Sequence, residues 1–205
     1  MERPHDILEY WFGTGPWTPE RLAERTRFWF GGDGVEAQVV RDADIRTRLE
    51  PLLERAARGE FAAWASSPKR RLALLLLFDQ VPRNIYRGTA AAFAFDREAL
   101  ALSAEGLQLA ADAALDPIER IFFYLPLEHA ESLEAQDAAI SAFDRLVAEA
   151  PPELRDYCVY TAGYAKKHRD IIVKFGRFPH RNTMLGRQST PEEAAWLAEF
   201  GNPFG

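Results

Sequence analysis

The chain has 205 residues, with 25 Lys or Arg against 31 Asp or Glu and a formal net charge of −6. That length fits one domain and suffices for a core without staples, and 47% hydrophobic with 27% charged residues is an ordinary globular composition. Scattered cations in an acidic chain exclude a nucleic-acid footprint, the longest apolar run, Leu72 to Phe78, is too short to span a bilayer, and one Cys with no signal peptide points to the cytoplasm.

From the N-terminus onward, capping and proline signals predict helices over 5–12, 19–29, 34–58 (kinked around Pro51), 68–81, 96–111, 117–125, 127–149, 153–175 and 191–199. Thr18-Pro19, Ser67-Pro68, Asp116-Pro117 and Thr190-Pro191 each set an N-cap oxygen before a Pro at the first helical position. Glu119 and Glu193 complete capping boxes, and Asp33-Gly34-Val35-Glu36 reads as another. No stretch alternates with period two, so the fold class is all-α. Short loops between long helices imply antiparallel helical hairpins, an α-solenoid-like bundle of about eight to nine helices forming a single domain over 1–205.

Helix 68–81 is apolar on every side from Leu72 to Phe78, which makes it central. Asp79 continues its stripe at the C-terminal end, where a carboxylate faces the negative end of the macrodipole and needs cations or a proton. Arg83 and Arg87 are the local partners, and Asn84 can satisfy loop backbone. The exit from this helix, Phe78-Asp79-Gln80-Val81-Pro82-Arg83-Asn84, is echoed by Phe175-Gly176-Arg177-Phe178-Pro179-His180-Arg181-Asn182, each with a Gly four residues past its Asn (Gly88, Gly186). Either exit can be a structural Arg clamp or the wall of a ligand site in which Arg binds an anion in a planar fork.

In Tyr124-Leu125-Pro126-Leu127-Glu128-His129, Pro126 reads as ending one helix and pre-setting the next. Glu128 and His129 then fall in a first turn, where the dipole favours a carboxylate and lowers its pKa. His129 aligns with the inward stripe Leu133, Ile140, Phe143 and Val147, and His168 with Leu154, Cys158, Thr161, Ala165 and Ile172. The two histidines lie at nearly equal chain distances on either side of the Pro151-Pro152 turn, an axial offset of about 7 Å at ~1.5 Å per residue. His180 follows just beyond, so three histidines can converge. An inward His can also be a core residue bonded to a carbonyl. A zinc ion with Glu128 or Glu131 as further ligand is conceivable on these histidines, but the chain has no His-Glu-x-x-His and no Glu-x-x-His of the di-iron bundle type, and no metal or cofactor is expected. His168-Arg169-Asp170 copies a kinase triplet but lacks the following Asn. Trp11-Phe12-Gly13 and Phe28-Trp29-Phe30-Gly31 read as aromatic plugs, and Cys158 as a buried, inert thiol.

These phrases, together with the stretch from His168 through Gly186-Arg187, resemble the bacterial family known as domain of unknown function 924, and the resemblance spans nearly the whole chain. Val81 stands where a bulkier aromatic is expected in many relatives. The resemblance implies an all-α fold similar to tetratricopeptide-like helical arrays and no established activity.

The leading functional expectation is a site for a small anionic or polar molecule. Glu128, His129 and His168 are its acid–base candidates, with Asp79, Arg83, Asn84, Arg87, His180, Arg181 and Asn182 as binding residues; hydrolysis or proton transfer fits best. The alternative is a helical-repeat module whose groove, lined by aromatics near Trp11 and Trp29, takes a peptide or partner helix.

Overall fold

The computed structural model describes residues 3–204, and among them the chain is helical with no strand. The α-helices are α1 (Pro4–Phe12), α2 (Pro19–Phe30), α3 (Val35–Ala57), α4 (Pro68–Leu75), α5 (Val81–Ile85), α6 (Asp96–Gln108), α7 (Pro117–Glu128), α8 (Leu133–Glu149), α9 (Pro152–Phe175) and α10 (Pro191–Phe200). The starts follow the caps: Thr18 accepts from the Arg21 N–H, and Asp116 and Thr190 form capping boxes with Glu119 and Glu193. The expected box at Asp33 does not form. Gly34 caps α3 and the Asp33 carboxylate pairs instead with Arg41 at 2.9 Å.

The central helix is not one α-helix over 68–81. Pro82 has no N–H for the carbonyl four residues back, and its ring crowds that carbonyl. The chain widens to accommodate it: the Val81 N–H bonds the Leu76 carbonyl, five residues earlier, and Leu76–Gln80 form a π-helical turn between α4 and α5. Every residue from Leu72 to Val81 is buried, Asp79 and Gln80 among them.

The aromatic plugs are core. Trp11 and Trp29 are buried with Phe12 and Phe122, and with the half-buried Phe28 they form a chain of edge-to-face rings; the Trp29 indole N–H donates to the Trp11 carbonyl. Trp11 and Trp29 themselves are therefore core, while Phe12 also borders a cavity beside Trp17 and Arg21. Cys158 is likewise fully buried, and burial pushes its thiol up to about 11. On the other side of the centre, α6 lies so close to α7 that a Cβ on Gly106 would collide with the Phe123 ring, so this position requires Gly. Ser103 adds a 2.6 Å hydrogen bond to the Phe123 carbonyl. The pair α8–α9 turns at Pro151-Pro152 and packs on α7.

One boundary differs in a way that matters for the site. Helix α7 continues through Pro126 to Glu128, with His129 as its C-cap, and the next helix starts only at Leu133. The true N-cap of α8 is Ser132, which accepts from the Ala135 N–H. Gln136, fully buried in the first turn of α8, donates back to the carbonyls of Glu128 and Ala130 at 2.6 and 2.8 Å. Glu128 and His129 thus end a helix rather than begin one, and the macrodipole there opposes a carboxylate. No helix among the described residues is long and apolar enough to cross a membrane.

Candidate functional site

Three segments carry charged or imidazole side chains to one place: the π-turn with α5, the end of α7, and the α9 exit. The π-turn presents Asp79, 1% exposed, to the C-cap of α7. There Asp79 Oδ1 stands 2.6 Å from His129 Nδ1 and 3.3 Å from the Arg83 guanidinium. Arg83 Nε also lies 3.1 Å from the same His129 nitrogen. A carboxylate only accepts and a guanidinium only donates, so the shorter contact assigns the proton. With Asp79 ionised, His129 Nδ1 donates to the carboxylate, which puts the lone pair on Nε2 and leaves the Arg83 Nε–H without an acceptor at this ring.

Burial pushes the Asp79 carboxyl up, but the Arg83 charge and the hydrogen bonds from His129 and Gln80 outweigh it and hold the group well below the usual carboxylate range. Burial and then the Arg83 charge push His129 down to about 3, against the opposing pull of Asp79. At neutral pH the unit is therefore an ionised Asp79, a cationic Arg83 and a neutral imidazole.

A second carboxylate–imidazole pair stands beside the first. His168 Nδ1 lies 2.9 Å from the Tyr164 carbonyl and 3.2 Å from Glu128 Oε2. The carbonyl can only accept, so Nδ1 is again the donor and Nε2 is left free. The two rings are 6.0 Å apart between centroids. Glu128 is 1% exposed, and burial raises its carboxyl above the usual range while His168 pulls it back and Asp79 adds to the rise. The lowered carboxyl expected for a helix start is reversed because the residue sits at a helix end inside the protein.

The repeated exits meet through their arginines. Arg83 reaches Asp96 Oδ1 at 2.9 Å and Arg181 reaches Asp96 Oδ2 at 3.3 Å, and both guanidiniums lie over the Phe93 ring. Burial first, then the Arg83 charge, brings Arg181 down to about 10. His180 packs by the Phe178 ring, and burial followed by the Arg181 charge pushes it down to about 3.

The asparagines of the two exits do not join them. Asn84 donates to the Gln80 carbonyl and accepts from Arg87, which is itself turned outward to Asp42 at 3.0 Å. Asn182 donates to Ser189 and Glu193 and holds the approach to α10. Glu131 accepts from the Phe178 N–H and from Arg187. Asn84, Arg87 and Asn182 therefore act as loop clamps, while Asp79, Arg83, Glu128, His129, His168, His180 and Arg181 are brought together.

Sequence reasoning passed over Asp96, Phe93 and Phe204. Asp96 carried a signal, an acid in the first turn of α6 with no helix partner, but its two arginines come from remote segments. Phe204 stacks face to face on His168, with centroids 3.7 Å apart and planes 7° apart, and no periodic pattern in the tail foretold it. Two cavities, of about 550 and 540 Å³, lie elsewhere: one among Arg3, Arg21, Arg70 and Asp116, the other between α2 and the start of α9. Among the described residues no three His, Cys, Asp or Glu side chains are grouped to hold a metal ion.

The fold and this cluster define an all-helical protein built around two buried carboxylate–imidazole pairs that two arginine exits close off. The chain belongs to the family described as bacterial protein of unknown function, DUF924, which matches residues 7–201. It is similar to the solved structure of the protein of unknown function ATU0120 from Agrobacterium tumefaciens, at 35% identity and a TM-score of 0.77, covering 96% of this chain and 97% of that one. No curated protein matches it.

Proposed function

We propose that the cluster of Asp79, Arg83, Glu128, His129 and His168 binds a small polar or anionic molecule and moves a proton on it. The observation that supports this most is the pair of imidazoles 6.0 Å apart, each held at Nδ1 by an acceptor that leaves its Nε2 to face a ligand. An imidazole fixed in this way accepts a hydrogen bond from a ligand hydroxyl or amine without reorganising.

The two pairs suit different tasks. His129, pushed down to about 3, is too weak a base to keep a proton at neutral pH and serves as an acceptor that orients the ligand. Glu128, raised by burial and touching His168, is the carboxyl whose environment favours giving and taking a proton. Hydrolysis or proton transfer is the reaction class this division supports. An anionic group that took the place of Asp96 would meet both Arg83 and Arg181.

A second reading, a docking module for a peptide or partner helix, is favoured by the groove of about 540 Å³ lined by Trp17, Leu22, Tyr157 and Tyr160. The two are separated by a thermal-shift screen of small carboxylates, phosphates, sugars and amines against wild type, His129→Ala and His168→Ala. Ligand at about a hundred times its Kd adds about 2.7 kcal/mol to the folded state, a rise of several degrees in Tm. At least one compound should raise the wild-type Tm by that much and leave both folded variants unmoved. If no compound distinguishes wild type from the variants, the acid–base reading is wrong.

A further inference from the structure

The ring of Phe204 sits where a ligand of this site would reach His168. Besides the 3.7 Å face-to-face contact with that imidazole, it meets the edge of Phe178 at 6.4 Å and 90° and that of His180 at 5.5 Å and 72°. The slot thus has a flat imidazole floor and two aromatic walls, a shape matched to one planar ring. Full face-to-face stacking is the less favoured arrangement for two plain aromatic rings, which prefer offset or edge contacts.

Polar atoms beside the slot are also left unused by this ring: His180 touches Phe204, and the Arg181 guanidinium lies over the Phe178 wall, 4.4 Å from its centroid. His180 Nδ1 and Arg181 Nε find no hydrogen-bond partner among the described residues, and Arg181 is 6% exposed. A buried polar group left unpaired costs about 1–3 kcal/mol, and a phenyl ring can accept from neither. Phe204 itself is only half-buried, on a tail that leaves α10 through Gly201 at φ 63° and Pro203, and its amide donates locally to Asn202. Moving it breaks no helix.

We propose that Phe204 is a displaceable occupant of a ring-binding slot, and that the molecule taken by this site carries a planar aromatic or heteroaromatic ring with an acceptor group beside it, the class of aromatic carboxylates. The inference rests on the small-molecule reading above and names its ligand class. The ring replaces Phe204 on His168, and the acceptor group meets His180 and Arg181.

Benzoate is the probe, with cyclohexanecarboxylate as the non-planar control, followed by calorimetry and by the ring signals in NMR. Phe204→Ala should bind benzoate at least tenfold more tightly than wild type and cyclohexanecarboxylate at least tenfold more weakly than benzoate. Phe204→Trp should behave as wild type, and adding His168→Leu to Phe204→Ala should abolish binding. In the wild type, millimolar benzoate should shift the His168 and Phe204 ring signals together, which tests the slot even where Phe204→Ala does not fold. Benzoate that binds the folded Phe204→Ala no better than wild type, that binds regardless of His168, or that leaves both ring signals in place overturns the proposal. A ring-free compound that depends on His129 in the thermal-shift screen, with no benzoate response here, would sink the ring slot and leave the acid–base reading standing.

Discussion

Asp79→Ala should cost the fold about 3–5 kcal/mol, measured by urea unfolding at pH 7, because it leaves a buried cation without its counter-charge. Asp79 is 1% exposed and is the acceptor for both His129 and Arg83, at 2.6 and 3.3 Å. Its loss leaves Arg83 with Asp96 alone, a carboxylate that Arg181 also needs. It also removes the acceptor for the His129 Nδ1–H, so a second buried donor goes unpaired. Replacing both charges, as in Asp79→Leu with Arg83→Met, should be less damaging than Asp79→Ala, since an apolar pair of similar volume carries no unpaired charge. A loss below about 1 kcal/mol for Asp79→Ala would mean that the carboxylate is not the hub the geometry describes.

Acid should weaken the fold through His129, with a sign that follows from the ring's being neutral when buried. Its folded value, about 3, lies below the unfolded value of ~6.5, so the unfolded chain binds the extra proton and stability rises with pH. The contribution is complete above pH ~6.5 and is lost progressively as pH falls towards about 3, at ~1.4 kcal/mol per pH unit. Glu128 and Asp96, both raised by burial, take up protons early in the folded state and pull the other way. The comparison that isolates His129 is therefore with His129→Asn, whose side-chain N–H can donate to Asp79 but does not titrate. Between pH 6 and 4, wild type should lose about 1.4 kcal/mol more per pH unit than the variant. Parallel curves would show that the ring is already protonated in the folded protein.

Much of this site is legible in the sequence, and what is not has identifiable physical causes. Helical periodicity placed His129 and His168 on inward stripes, and the chain distances to the Pro151 turn put them at one level; the rings lie 6.0 Å apart. The proximity is as expected but its reason differs for His129: the boundary between α7 and α8 makes it the C-cap of α7 and not part of the α8 stripe, so helical phasing from Leu133 to Val147 does not set its position. The same boundary reversed the electrostatics of Glu128, since proline at position 126 is tolerated inside a helix whose end Gln136 caps from the side. Asp79 was recognisable as a carboxylate out of place, but the π-turn that aims it arises from a missing N–H at Pro82 and leaves no mark in the apolar pattern.

The repeated exits were visible as text and ambiguous as structure. Their arginines share Asp96 across the molecule while their asparagines each tie a local loop, so similarity in sequence conceals two different jobs. Tertiary partners such as Asp96 and Phe204 come from distant segments with no spacing to announce them. Arg87 is near Asp79 in sequence, yet it lies beyond the end of α5 and pairs with Asp42.

The central claim is that two carboxylate–imidazole pairs stand side by side with both Nε2 atoms free, and long-range ¹H–¹⁵N correlation of the histidine rings at pH 7 tests it most directly. His129 should appear as the neutral tautomer protonated at Nδ1, with a deshielded, unprotonated Nε2 that persists unchanged to pH 5, and His168 should carry a proton on Nδ1, facing the Tyr164 carbonyl. A His129 ring protonated at Nε2 or carrying both protons at pH 7 would contradict the arrangement from which the proposed function follows.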